Sequence, residues 1–157
     1  MKKYIVYYEG LGGIFMNTLK RGLIKDIKPF LEKKYPDDEL VFEQRYWTNK
    51  KLLHQNTILV IGHSFGGHAA MEAVKKVTHG VRPRIVTIDP RFMPKTWFNS
   101  PNQYFHLNFY QPKMLEGKQV TAAKNIRLVQ STRIPFRGHM TITRDKRLIK
   151  NLKRFVN

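Results

Sequence analysis

One serine of the chain lies between two glycines at a spacing that is typical of nucleophilic serines. The segment Gly62-His63-Ser64-Phe65-Gly66 follows the pattern Gly-x-Ser-x-Gly. The glycines two positions from the serine leave room for a sharp turn between a strand and a helix. Such a turn holds the hydroxyl at a strand end, where a neighbouring base can activate it. The alternative interpretation is that Ser64 caps a helix in a glycine-rich turn.

The segments around Ser64 predict strands that alternate with helices. Apolar and β-branched runs predict six strands, at 4–8, 40–44, 57–61, 84–88, 104–110 and 126–130. Apolar residues at three- and four-residue spacing predict three helices: one after an N-cap at Asn17 with a kink or break at Pro29, one over 65–78, and one capped by Thr143. This alternation indicates an α/β fold, a single-domain three-layer α/β/α sandwich over residues 1–157 with a mostly parallel sheet. Ligands of such sheets collect at the carboxyl ends of the strands.

The surroundings of Ser64 strengthen its interpretation as a nucleophile. The motif follows the most continuous apolar strand, 57–61, and the small residues Gly66, Gly67, Ala69 and Ala70 follow it. Gly62-His63-Ser64-Phe65-Gly66-Gly67 resembles the Gly-His-Ser-x-Gly-Gly nucleophile elbow of α/β-hydrolase lipases and esterases. The resemblance covers most of the chain. It implies a minimal, lidless α/β-hydrolase fold and a catalytic triad in the order serine, acid, histidine.

The resemblance assigns the other two triad members. Asp89 ends the strand after the elbow, in Ile88-Asp89-Pro90, which is similar to the pancreatic-type lipases; many other members carry the acid one strand later. His139 lies after the last predicted strand and before the last helix, the family's place for the histidine. The alternatives are an Asp-Pro turn for Asp89 and a surface-loop histidine for His139. Asp145 is better explained by its place at the start of the last helix.

Two backbone amides are expected to stabilise an oxyanion. The resemblance implies the amide of Phe65, which follows the nucleophile, and the amide of Leu11. Leu11 lies in Glu9-Gly10-Leu11-Gly12-Gly13, which resembles the family's His-Gly-x-Gly loop, with Glu9 in place of the histidine. The alternative is that these glycines form only a tight turn or cradle a phosphate.

Aromatic residues on predicted loops suggest an apolar pocket for the acyl group of a substrate. We predict substrate contacts for three of them, Phe15, Trp97 and Phe98, while others such as Trp47 fall on similar loops. Aromatic residues at such positions also commonly complete the core.

The charge of the chain is strongly positive. Its 157 residues include 29 lysines and arginines but 11 acidic residues, a formal net charge of +18. This charge favours anionic partners such as nucleic acid, an anionic lipid surface or an acidic substrate. The sequence has no cysteine, which excludes disulfides and thiolate sites. It also lacks zinc-finger spacing, a signal-peptide core and a run of roughly 20 apolar residues, so we expect a cytoplasmic protein.

These observations predict a serine hydrolase of carboxylic esters that acts through an acyl-enzyme on Ser64, with no metal or organic cofactor. We expect a small or lipid-like ester as substrate and an anionic membrane surface as a partner, ahead of nucleic acid. Acyltransferases and thioesterases with the same triad are alternatives, as is a non-catalytic basic module that binds nucleic acid or anionic lipid.

Overall fold

The fold was analysed in a computed structural model that describes residues 1–11, 17–78, 80, 82–90, 100–102, 105–111, 119–128 and 141–157. The strands are β1 (Lys2–Glu9), β2 (Glu39–Tyr46), β3 (Thr57–His63), β4 (Arg84–Ile88), β5 (His106–Tyr110) and β6 (Lys124–Arg127). The helices are α1 (Lys25–Lys34), α2 (Phe65–Lys75) and α3 (Lys146–Val156). A π-helical turn, Lys20–Ile24, leads into α1, and a 3-10 turn, Ile142–Arg144, precedes α3.

The six strands form one sheet in the order β2-β1-β3-β4-β5-β6, and every neighbouring pair is parallel. The chain first adds β2 on one side of β1 and then continues with β3 on the other side. The strand order therefore reverses between β1 and β3. In open parallel sheets, a crevice forms outside the carboxyl ends of the strands at this switch point.

Helices cover both faces of the sheet because successive residues of a strand point to opposite sides. Ile5 and Tyr7 of β1 pack in one apolar cluster with α1 and α3, whereas Val6 and Tyr8 pack in a second cluster with α2. Burial of both strand faces explains why the strand segments are nearly continuous apolar runs. The α/β class and the six-stranded parallel sheet predicted from the sequence are confirmed.

The helix starts differ from the predicted ones. Asn17 does not cap the first helical segment with its side chain, because its Oδ1 accepts a hydrogen bond from Gln44 Nε2 at 2.8 Å. At the last helix, Asp145 is the N-cap, and its Oδ1 accepts from the Arg147 amide at 2.8 Å. The predicted cap Thr143 is buried and donates to the Thr18 carbonyl instead. Pro29 does not split its helix, since α1 continues through it to Lys34.

A buried polar network ties β4 to β5. Thr87 Oγ1 donates to Asn108 Oδ1 at 2.7 Å and lies 2.9 Å from His106 Nε2. Because a hydroxyl has one proton to donate, Thr87 must accept from Nε2, so His106 carries its proton there. His106 Nδ1 then accepts from Ser100 Oγ at 2.9 Å. Burial lowers the pKa of His106 to about 3, so the imidazole stays neutral in the folded protein.

Acidification should therefore destabilise the fold through His106. Between an unfolded pKa of 6.5 and a folded pKa of about 3, only the unfolded chain binds this proton. The free energy of unfolding of the wild type should fall relative to His106→Gln by about 1.4 kcal/mol per pH unit in this window. Urea unfolding at several pH values measures the difference. A difference that stays constant from pH 7 to pH 4 would contradict the assignment.

Candidate active site

Ser64 lies at the sharp turn between β3 and α2. Its backbone angles are φ 58° and ψ −125°, a strained conformation for a residue with a side chain. The Ser64 side chain makes no capping hydrogen bond to the helix that begins at Phe65. Ser64 therefore does not act as the helix-capping serine that was the alternative interpretation. The strain is held in place, since the Ser64 amide donates to the Ile88 carbonyl at 3.0 Å.

Three glycines allow the backbone around Ser64 to pack this closely. A Cβ on Gly62 would lie 2.2 Å from the Gly66 carbonyl oxygen, and a Cβ on Gly66 would lie 2.1 Å from the Tyr8 carbonyl oxygen. A Cβ on Gly10 would lie 2.7 Å from the Ser64 Cβ. The obstructing atoms are backbone atoms or the Cβ of Ser64 itself, so they cannot simply swing aside. The turn is thus specified by the glycine spacing that the sequence shows.

Replacing Gly66 by alanine should destabilise the protein strongly. The new methyl group would overlap the backbone of β1 at Tyr8, so strand and helix would have to separate. We expect a loss of about 3 kcal/mol in the free energy of unfolding, measured by urea denaturation.

Gly80→Ala is the matched control for Gly66→Ala. Gly80 has a φ of 77°, but no described atom lies within 4 Å of its Cβ position. Its replacement should cost only the backbone strain, about 1 kcal/mol. Equal losses in both variants would contradict close packing as the cause.

Asp89 lies beside the elbow, directly after β4. Its side chain is fully buried, and its backbone has a φ of 46°, a conformation that aspartate and asparagine tolerate better than most residues. The Asp89 amide donates to the Phe109 carbonyl at 2.7 Å. Its Oδ1 accepts from the Gln111 amide at 3.2 Å, and its Oδ2 lies 3.4 Å from Gln111 Nε2. The carboxylate is therefore fixed at the same edge of the sheet as Ser64.

The loop after β1 completes the described part of the site. Gly10 contacts the elbow from this loop, since a Cβ added at Gly10 would lie 3.2 Å from the Phe65 amide nitrogen. Leu11, the second predicted oxyanion donor, follows Gly10 and is about half exposed. Trp47, which follows β2, stacks on the Phe65 ring with 5.3 Å between centroids. The ends of β1 and β3 thus meet at the switch point of the sheet, where a ligand crevice is expected.

Glu9 takes the place of the histidine in the loop that the sequence resembles. It has a structural role that the sequence did not reveal. Its buried carboxylate accepts three hydrogen bonds, from the amides of Leu19 at 2.8 Å and Lys20 at 3.1 Å and from Thr18 Oγ1 at 2.9 Å. These amides begin the helical segment that leads to α1, so Glu9 supplies the capping acceptor in place of Asn17.

The same carboxylate is linked to the residue before the nucleophile. Thr18 Oγ1 lies 3.4 Å from Nδ1 of the buried His63. The Glu9 carbonyl also accepts from the Trp47 amide at 3.0 Å. Burial raises the pKa of the Glu9 carboxyl, although the hydrogen bonds from Lys20, Thr18 and Leu19 oppose this shift. A single acid at the end of the apolar run of β1 was the signal in the sequence for such a buried anchor.

Removing the Glu9 carboxylate should be costly, while neutralising it should not. Glu9→Ala leaves three donors without their acceptor, and we expect the free energy of unfolding at pH 7 to fall by about 3 kcal/mol. Glu9→Gln keeps an acceptor oxygen for the amides of Leu19 and Lys20 and avoids burying a charge, so we expect a loss below about 1 kcal/mol. Urea denaturation measures both variants. Equal effects of alanine and glutamine would refute the anchoring role.

The structure thus brings together three of the predicted site residues, Ser64, Phe65 and Asp89, and Leu11 follows Gly10, which contacts the elbow. His139 and the predicted substrate contacts Phe15, Trp97 and Phe98 lie outside the described residues. Over the described ranges, no group of three or more histidines and acids is placed to hold a metal ion. In the same part of the chain, no helix combines the length and the apolar character needed to cross a membrane.

Comparisons of the chain with protein families, with curated proteins and with solved structures found no match.

Proposed function

We propose that the protein is a serine hydrolase that cleaves carboxylic esters through an acyl-enzyme on Ser64. The observation that carries the proposal is the strained backbone of Ser64, with φ 58° and ψ −125°, in a turn whose glycines hold it against β1. Strain of this kind costs about 1–3 kcal/mol, persists where the surrounding structure enforces it and is concentrated at functional sites. The position of the serine at the switch point of the sheet supports the same conclusion.

In the proposed mechanism, His139 takes the proton of the Ser64 hydroxyl as the oxygen attacks the ester carbonyl carbon. Asp89 orients the imidazole and stabilises its charged form. The amides of Phe65 and Leu11 donate to the oxyanion of the tetrahedral intermediate, and each such donor contributes about 3 kcal/mol. His139 then gives its proton to the leaving alcohol, which leaves the acyl group on Ser64. Water, activated by His139, attacks the acyl-enzyme and releases the carboxylic acid.

The buried environment of Asp89 supports its part in this mechanism. Its carboxylate is held by Gln111 on one side of the elbow, and Ile88, the residue before it, is bonded to the Ser64 amide. Desolvating a carboxylate is costly, and the donors of Gln111 offset part of this cost, to which a partner with positive charge would add. A histidine that becomes positively charged during the reaction is such a partner.

The proposal is tested by active-site labelling together with ester hydrolysis. A fluorophosphonate should label the wild-type protein on the peptide that contains Ser64 and not on those with Ser100 or Ser131. The wild type should hydrolyse p-nitrophenyl acetate or butyrate, and Ser64→Ala should do neither. If the wild type is not labelled and is no more active than Ser64→Ala, the proposed function is wrong.

A further inference from the structure

A cavity of about 530 Å³ lies at the amino ends of the strands, at the opposite end of the sheet from Ser64. It is lined by residues at the beginnings of strands, among them Lys3 of β1, Thr57 of β3 and Arg84 of β4, and by Phe105 just before β5. Because all strands run parallel, these amino ends are separated from the elbow by the length of the strands. The volume falls within the range of about 300–1,000 Å³ that is usual for small-molecule sites.

Arg84 lines this cavity and has an unsatisfied donor. Its Nε is buried and has no hydrogen-bond partner, and its guanidinium lies over the Phe105 ring at 5.4 Å. All acidic residues of the chain except Glu116 lie in the described part, and none of those forms an ion pair with Arg84. A buried donor without an acceptor is costly, and because Arg84 as a whole is only partly buried, a ligand in the cavity can supply an acceptor to its guanidinium.

Further positive charge surrounds Arg84. Arg82 also lines the cavity, and its Nη1 donates to the Pro101 carbonyl at 2.6 Å while the side chain stays exposed. Lys3 is compensated by Asp38, with 2.5 Å between the charged atoms. Burial and the charge of Arg84 both lower the pKa of Lys34, whose Nζ donates to the backbone oxygens of Val156 and Asn157. After the Lys3–Asp38 ion pair is counted, Arg82 and Arg84 still give the cavity an excess of positive charge.

We propose that this cavity binds the phosphate group of a small phosphorylated molecule, held by Arg84 together with Arg82. The forked donors of arginine match phosphate oxygens, and a phosphate monoester carries nearly two negative charges, which suits a site with more than one uncompensated cation. Gln55 and Asn56 also line the cavity, and an amide side chain can hydrogen-bond to the rest of the molecule. This inference is independent of the proposed hydrolase activity.

Isothermal titration calorimetry at low ionic strength tests the proposal, with phenyl phosphate as the probe. Arg84→Gln should weaken binding at least tenfold. Arg127→Gln removes the same charge at the exposed end of the edge strand β6 and should change the affinity less than twofold. Equal weakening by both substitutions would mean general attraction to a basic protein and would overturn the proposal.

Two further probes define the ligand class. Benzoate, a monoanion with the same ring, should bind at least tenfold more weakly than phenyl phosphate. Inorganic phosphate should also bind more weakly, because it lacks the organic group. Equal affinity for benzoate would overturn the preference for phosphate, and equal affinity for inorganic phosphate would overturn the requirement for an organic phosphate.

A measurement on the wild type avoids any effect of substitution on folding. When phenyl phosphate is added, amide chemical shifts should change at Arg84, Asn56 and Phe105 and stay constant at Phe65. Shifts centred on Phe65 instead would place the ligand at the elbow and overturn the proposal. Ser64→Ala should bind phenyl phosphate with unchanged affinity, so failure of the proposed hydrolase function and failure of this inference are distinguishable.

Discussion

Replacing Ser64 by alanine should lower kcat/KM for p-nitrophenyl esters by at least about 10⁴-fold. Without the hydroxyl no acyl-enzyme forms, and the residual rate comes only from the oxyanion donors and substrate binding. The free energy of unfolding should stay within about 0.5 kcal/mol of the wild-type value, because the Ser64 side chain makes no capping hydrogen bond. Steady-state kinetics and urea denaturation of the same preparation measure both quantities.

Ser64→Gly separates the catalytic role of the hydroxyl from the strain of the backbone. Glycine is equally unable to form the acyl-enzyme but adopts a positive φ without a clash. We therefore expect an inactive variant that is more stable than Ser64→Ala by about 1 kcal/mol. If the glycine variant were the less stable of the two, the backbone at Ser64 would not be strained. Retained activity in either variant would exclude Ser64 as the nucleophile.

Much of the fold could be predicted from the sequence because the central strands are buried on both faces. The run at 84–88 became β4 with the same bounds, since every residue of β4 after Arg84 is buried. The edge strand β6 was predicted at 126–130 but lies at Lys124–Arg127. None of its four residues is fully buried, so it carries little of the apolar pattern on which such a prediction depends. Strand order is a matter of contacts between distant segments, which periodicity does not encode.

The elbow could be predicted for a different reason, which is that its geometry is local. Gly62, Ser64 and Gly66 are all within five residues, and the spacing itself is the requirement. The anchoring role of Glu9 depends instead on Thr18, Leu19 and Lys20, which lie 9 to 11 residues away.

The capping rules failed at Asn17 and Thr143 because tertiary contacts compete with local ones. Asn17 has a bonding partner in Gln44, and the side chain of Thr143 is buried against the Thr18 carbonyl. In each case a carboxylate, that of Glu9 or of Asp145, accepts hydrogen bonds at the helix start instead. Local rules identify which helix needs a cap better than they identify the residue that supplies it.

Replacing Asp89 by asparagine should lower kcat by about 10⁴-fold at neutral pH and change stability little. The side-chain amide of asparagine no longer stabilises the charged imidazole of His139 and can hold it in the wrong tautomer. Asparagine tolerates the left-handed backbone of residue 89 and can still accept from the Gln111 amide, so the turn should persist. Ester kinetics, together with the rate of fluorophosphonate labelling of Ser64, measure the effect.

Asp145→Asn makes the same chemical change at the start of α3. Asparagine caps helices about as well as aspartate, and Asp145 lies apart from Ser64 in an ion pair whose Arg147 side chain is exposed, so activity should stay at the wild-type level and stability should fall by less than about 1 kcal/mol. Labelling of Ser64 should slow in Asp89→Asn by a factor comparable to the loss in kcat, since both reactions need an activated hydroxyl. Were labelling to stay fast while hydrolysis is lost, Asp89 would act after acylation and not in activating Ser64. Were neither to change, Asp89 would be no more than a turn residue, and the acid of the proposed triad would have to lie elsewhere.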